Sequence, residues 1–214
     1  MQRHRQFIFV IAMVAFMAAP AAADESGWTV RVLGGWNRPS VDLSGVDSEV
    51  PVSVGSSGAL GAGAGLEYRF GRWVGVGFDT LRSNPEVALD AFVTAGHVQA
   101  SHSLSFTPFS VGPVFHITPG RLVDLTLTAV FGVAHYGDLQ FAAGGNTLRL
   151  QGGNAALWGF GAAVDVSAGS PNWTIHAGVR RYDSNPDFTN VDNGSAGSAG
   201  INPVVVSFGV GYRF

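Results

Sequence analysis

The sequence has no cysteine and no lysine, and only 13% of its 214 residues are charged. Without cysteine it can form neither a disulfide nor a thiolate metal site, a composition compatible with an oxidising compartment. All 12 basic residues are arginines, and they do not cluster beyond the first five residues. A nucleic-acid binder would carry a basic patch, so that class is set aside. After residue 23 no stretch approaches the roughly 18 uninterrupted apolar residues that a membrane-crossing helix needs. Helical periodicity is also scarce, because glycine recurs and the apolar residues fall two apart.

What is present begins with an export signal. Arg3 and Arg5 form a positive start, Phe7 to Ala19 is an apolar run of 13, and "PAAAD" places small residues before a cut after Ala23. The expected organisation is therefore a signal peptide over 1–23 and a single domain over 24–214. An uncleaved anchor is the plain alternative, against which the shortness of the run argues. Cleavage would leave 191 residues with ten arginines against 15 carboxylates, a net charge of −5.

The 30 glycines and 15 phenylalanines are spread along the chain, and eight stretches alternate apolar with small or polar residues. They run from Trp28 to Trp36, Leu60 to Phe70, Trp73 to Leu81, Ser103 to Ile117, Val123 to Val133, Trp158 to Val166, Trp173 to Arg180 and Val204 to Phe214. In the fourth, the apolar phase is expected to switch between Phe106 and Phe109 through a bulge near Pro108. Connections alternate between short turns and four long loops near 37–57, 82–102, 137–154 and 183–202. Eight strands of about ten residues joined in this way predict an all-β fold, an eight-stranded antiparallel transmembrane β-barrel of the outer-membrane type. The apolar face is expected to meet lipid and the glycine, serine, threonine and charge face to fill a narrow lumen. Aromatic rings are expected at two levels: Trp28, Tyr68, Phe70, Trp173, Tyr212 and Phe214 on the turn side, and Trp36, Phe78, Phe131 and Trp158 on the loop side. The last stretch must pair with the first to leave no edge in hydrocarbon. Its closing Tyr212 and Phe214 resemble the C-terminal signal read by the barrel-assembly machinery.

"INPVVVSFGVGYRF" and "WTIHAGVRRYD" resemble the C-terminal part of the OmpW family of small outer-membrane barrels, and "WTVRVLGGWNRPS" is similar to its opening strand and the loop after it. Where that family carries tandem prolines in its fourth strand, this chain has Thr107-Pro108. The resemblance implies a monomer in the outer membrane of a Gram-negative bacterium, with a narrow, partly hydrophobic interior. It also implies passage of small hydrophobic molecules or a part in envelope stress, and no catalytic site. Outer-membrane lipids, lipopolysaccharide and the assembly machinery are the expected partners.

The candidate site is the set of lumen groups Arg31, Glu67, Arg69, Asp79, Asp165, His176 and Arg180, expected to pair into a structural plug or, alternatively, to set selectivity. "RRYDSNPDF" faintly resembles the lipid A deacylases, but Arg181 or Tyr182 stands where their histidine would be. Ser184 therefore lacks a general base, and Asn185 reads as part of a turn. His97, His102, His116 and His135 lie on different segments without ligand spacing, so no metal and no cofactor is expected. "GALGAGAG" lacks the lysine and helix of a phosphate cradle, and the glycosylation patterns at Asn172 and Asn193 read as chance. Two functions stand: a narrow channel or envelope component for small apolar solutes, and a surface interaction protein of the opacity or adhesin type acting through its loops. Val50, Val52 and Val54 form the one apolar stripe in those loops, a binding edge or a hairpin extension.

Overall fold

The computed structural model describes residues 26–42, 52–93, 96–143, 146–169, 172–192, 194 and 196–214. The expected signal peptide, Val50 and Asn193 lie outside them. Eight long strands form the wall: β1 (Gly27–Arg38), β2 (Ala59–Arg69), β3 (Val74–Ser83), β4 (Phe106–His116), β5 (Val123–Tyr136), β6 (Asn154–Ser167), β7 (Trp173–Ser184) and β8 (Val204–Arg213). Each pairs antiparallel with its neighbours in sequence, and β8 pairs back on β1 from Thr29↔Arg213 to Arg38↔Val204. The sheet is thus closed, with no free edge strand in the wall to leave a row of backbone groups facing hydrocarbon, where each would cost several kcal/mol.

The register gives the barrel its geometry. Moving strand to strand through paired residues, Arg31 leads to Gly65, Asp79, Ser110, Gly132, Leu157, Ser184 and Ile201, and arrives at Val41, ten residues after Arg31 and just beyond the end of β1. For eight strands about 4.8 Å apart, rising about 3.3 Å per residue, this offset means a tilt of about 40° and a backbone radius of about 8 Å. Side chains fill such an interior. Trp28 and Trp36 then stand about 20 Å apart along the axis, close to the height of an apolar membrane band.

The faces follow the pleat. Val32, Leu60, Phe160 and Phe208 are exposed on the outside, while Thr29, Glu67, Thr126 and Thr174 are buried within. At the end with the short turns, Trp28 lies 4.7 Å from Tyr68, Tyr68 5.0 Å from Phe70, and Tyr212 stacks edge-on against Trp173 at 5.0 Å and Phe214 at 4.9 Å. Phe78, expected in the loop-side ring, instead sits mid-wall between Leu66 and Val111.

Two further expectations are corrected. No bulge occurs in β4: its pairing with β5 holds one register from Phe106↔Tyr136 to His116↔Thr126, so Phe106 points inward and Phe109 outward in unbroken alternation. Pro108, which has no N–H to give, coincides with a gap in the β3–β4 ladder between Thr80↔Phe109 and Ser83↔Phe106. The long loops, in turn, are largely sheet. Glu86–Val93 and Gly96–Ser103 form a hairpin to which Val52–Ser56 adds a third strand, so Val52 and Val54 of the valine stripe belong to a sheet above the wall. Leu139–Ala143, Asn146–Gln151, Asp187–Asn190 and Ala196–Ser198 make a second, four-stranded sheet.

Between these sheets and the barrel mouth lies the apolar core. Leu104, Phe106, Tyr136, Leu139, Phe141, Phe188 and Ile201 pack there and continue down the lumen as Leu33, Leu81, Val130, Leu157 and Val205. The interior therefore divides into an apolar upper part and a charged lower part.

Candidate functional site

The lower lumen is built from alternate residues of six strands, which the pleat aims inward. Arg31 Nη2 on β1 donates to Glu67 Oε2 on β2 at 2.7 Å and to Asp165 Oδ2 on β6 at 3.1 Å. His176 Nδ1 on β7 lies 3.0 Å from the other oxygen of Asp165. Arg69 Nη2 donates to Asp124 Oδ2 on β5 at 3.0 Å, and its Nε lies 3.9 Å from Glu67 Oε1. Higher up, Arg180 Nη1 donates to Asp79 Oδ1 and, at 3.0 Å, meets the Tyr182 hydroxyl; Ser110 also donates to Asp79 Oδ1, at 3.1 Å. All seven residues singled out from the sequence thus face the lumen, five in one linked group and Asp79 with Arg180 in a second.

Two members of the lower group were missed. His116 has no exposed side-chain surface; its Nε2 lies 2.9 Å from Glu67 Oε1 and its Nδ1 2.8 Å from Asp124 Oδ2. Glu67, 2% exposed, therefore has Arg31 on one oxygen and His116 and Arg69 at the other. The usable signal was strand parity: His116 lies an even number of residues from Ser110 and Val114 on the inward face of β4, and its strand partner Thr126 is two residues from Asp124. Among the described residues, no group of three or more histidine, aspartate or glutamate side chains is arranged to hold a metal ion.

Above the lower group lies a cavity of ≈ 70 Å³, bordered by Arg31, Asp79, Asp165, His176, Arg180 and Tyr182 on its polar side and by Leu33, Leu81, Pro108 and Val205 on its apolar side. It has room for a few waters, and Arg31 Nε and Arg180 Nε, buried without a protein partner, are the polar atoms such waters would meet. Over the cavity, Asn37 donates to Ser83 Oγ at 2.8 Å beneath the apolar core.

The segment that resembled a deacylase is placed by β7. Tyr182 and Ser184 face inward, and Arg181 faces out. The Ser184 hydroxyl is hydrogen-bonded to the Tyr136 hydroxyl and lies 3.0 Å from the Ile201 carbonyl oxygen. Its partners are thus an aromatic alcohol and a backbone oxygen, neither of which is a base able to take its proton. At the other end, the Phe214 N–H donates to the Trp28 carbonyl at 2.9 Å, and its ring is exposed beside Tyr212.

Comparison with known proteins agrees with this architecture. Residues 7–214 match the family model described as "outer membrane protein beta-barrel domain". Among solved structures, the outer membrane protein OprG from Pseudomonas aeruginosa superposes with a TM-score of 0.61 at 12% identity, covering 88% of this chain and 96% of that one. Neisserial surface protein A gives 0.57 at 15% identity, covering 87% and 97%. Ail, the attachment invasion locus protein of Yersinia pestis, gives 0.50 at 16%, covering 89% and 100%. At these identities the likeness is one of fold. The search of curated proteins found no match.

Proposed function

The chain belongs to the family of outer membrane protein β-barrel domains, and from that premise we propose that it is a monomeric, non-conducting barrel that acts at the cell surface through the two sheets above its mouth. The observation that carries this reading is the filling of the lumen. A solute moving along the axis would meet the apolar core around Phe106, Tyr136 and Phe188, then a ≈ 70 Å³ cavity, then the ion pairs of Glu67 and Arg69. An apolar cavity able to hold a benzene-sized molecule is about 150 Å³. This one is smaller and rimmed by charge, so an apolar solute gains nothing by entering it.

The loops support the reading from the other side. A barrel that served only as a wall would need short connections, whereas here they are built into sheets sharing one core with the mouth. The fold is shared with a Neisserial surface protein and an attachment invasion locus protein, which is an argument by analogy of fold. Single-channel recording from refolded protein in a planar bilayer, with a gel-shift check of folding, tests the proposal. A folded, silent barrel is the expected result; discrete openings would overturn it.

A second reading, passage of small apolar molecules sideways through the wall, is favoured by one observation. The β3–β4 ladder is interrupted at Leu81 and Arg82 opposite Thr107 and Pro108, and both Leu81 and Pro108 border the cavity. Pro108→Val supplies the missing N–H. Under this reading it reduces uptake of a small alkane into cells carrying the protein, and under the first reading uptake is the same with and without the variant.

A further inference from the structure

The lipid-facing surface carries almost no charge, and what it does carry is confined to one place. Among the outward positions of the eight wall strands, the charged residues are Arg38 on β1, Arg82 on β3, Arg181 on β7 and Asp183 on β7, and all lie near the sheet end of the barrel. Arg38 and Arg181 flank Val204 from its two sides, since Arg38↔Val204 and Arg181↔Val204 are both strand pairs. Arg82 reaches the same rim by Ala62 and Gly34. Because the strands tilt by about 40°, each step from β7 to β8 to β1 and on to β3 climbs about 3 Å, which brings the three arginines within roughly 6 Å of one height. Trp36 and Trp158 stand at that height as well. On β4, β5 and β6 the corresponding outward positions carry Thr107, Phe109, Val133 and Trp158, all uncharged.

The arginines therefore make a half-belt on alternate strands, Arg181 about 10 Å from Arg38 and Arg82 about 16 Å from it on the other side, level with the aromatic ring at the outer boundary of the apolar band. Arg38 and Arg82 form no ion pair among the described residues, and Arg181 reaches only Asp183, at 3.8 Å with more than half of its side chain exposed. A cation facing hydrocarbon costs about 2–4 kcal/mol at mid-membrane and about 0–1 at the interface, so three at one level, spread over half of the circumference, point to anions along that arc. We infer that this half-belt is a binding site for the phosphate groups of lipid A in the outer leaflet. Three planar guanidiniums can each take phosphate oxygens two at a time, while the neighbouring Trp36, Leu60, Val206 and Phe160 receive acyl chains. The site lies on the outer wall and is independent of what the sheets above it bind.

Native mass spectrometry of the refolded protein in micelles tests the assignment with three probes: bisphosphorylated lipid A, the same lipid after enzymatic removal of both phosphates, and inorganic phosphate. The expected result is binding at least about tenfold tighter to the phosphorylated lipid. This preference should vanish in R38Q/R82Q/R181Q and persist in R72Q/R121Q, whose arginines lie in the short turns at the opposite end. Equal binding of the two lipids by the native protein would overturn the site, as would a preference that survives the triple substitution. Displacement of the lipid by an equal concentration of inorganic phosphate would overturn the lipid as ligand. The comparison of the two lipids needs no variant, and single substitutions that each weaken the preference serve if the triple one does not fold.

Discussion

Glu67 is the side chain on which the lower lumen depends, because one carboxylate answers Arg31, Arg69 and His116. Its removal leaves buried cations without a partner, a loss of about 3–5 kcal/mol for a buried pair broken on one side. Glu67→Ala is expected to lower the temperature at which the folded band disappears from an unboiled gel by more than Asp165→Ala does, since Arg31 keeps Glu67 when Asp165 is gone. Equal shifts would mean that the two carboxylates are interchangeable and the network is only a loose counter-charge. The inward direction of Arg31, Glu67, Arg69, Asp79, Asp165, His176 and Arg180 was legible in the sequence because a charge on the small-residue face of a strand has only the lumen to enter. His116 was not legible as their partner. Its strand neighbours Phe115 and Ile117 are apolar, and spacing between histidines says nothing about carboxylates brought in from β2 and β5.

At the scale of the strand, the hairpin of β4 and β5 shows what alternation reveals and what it hides. All eight wall strands could be read from period two, since lipid outside and a crowded lumen inside demand opposite residue types. That contrast fails near the mouth, where the lumen is itself apolar. Phe106 and Phe109 are both large and apolar although they face opposite ways, so the apolar pattern alone mimics a phase change that the register does not contain. The sheets above the mouth escaped for a related reason, because Glu86–Val93 and Asn146–Gln151 are short and mixed in composition, and beyond its adjacent hairpin partner each pairs with a strand remote in sequence, Val52–Ser56 and Asp187–Asn190. Glycine serves this hairpin in a specific way: a Cβ on Gly132 would overlap the Phe109 carbonyl oxygen, and one on Gly112 that of Ala129. The obstacle is backbone, so the ladder itself must shift. Gly132→Ala is expected to cost about 1–3 kcal/mol in urea unfolding from micelles, while Gly71→Ala, in a turn with nothing near its Cβ, leaves the midpoint unchanged. An unchanged midpoint for Gly132→Ala would mean the two strands are not held so closely.

For the whole molecule, the apolar core shared by barrel and sheets means that neither part is finished alone. Replacing residues 87–102 with a short turn keeps the gel shift of a folded barrel but removes cover from Phe106 and Tyr136, so binding of a hydrophobic dye should rise several-fold; dye binding that stays flat would show the core to be sealed from below. The charged groups of the lumen have a different consequence. Its ion pairs join residues far apart in the chain, Arg31 with Asp165 across 134 positions and Asp79 with Arg180 across 101. They connect strands on opposite sides of the barrel, so neither can form in a sheet that is still open. A partly assembled intermediate leaves Asp79 and Arg180 without each other, beside lipid or in water, while Arg31 keeps only Glu67 on the neighbouring strand. Assembly is thereby made all-or-none: the ion pairs reward only completed closure, and a barrel stalled with strands missing is the species least able to remain in the membrane.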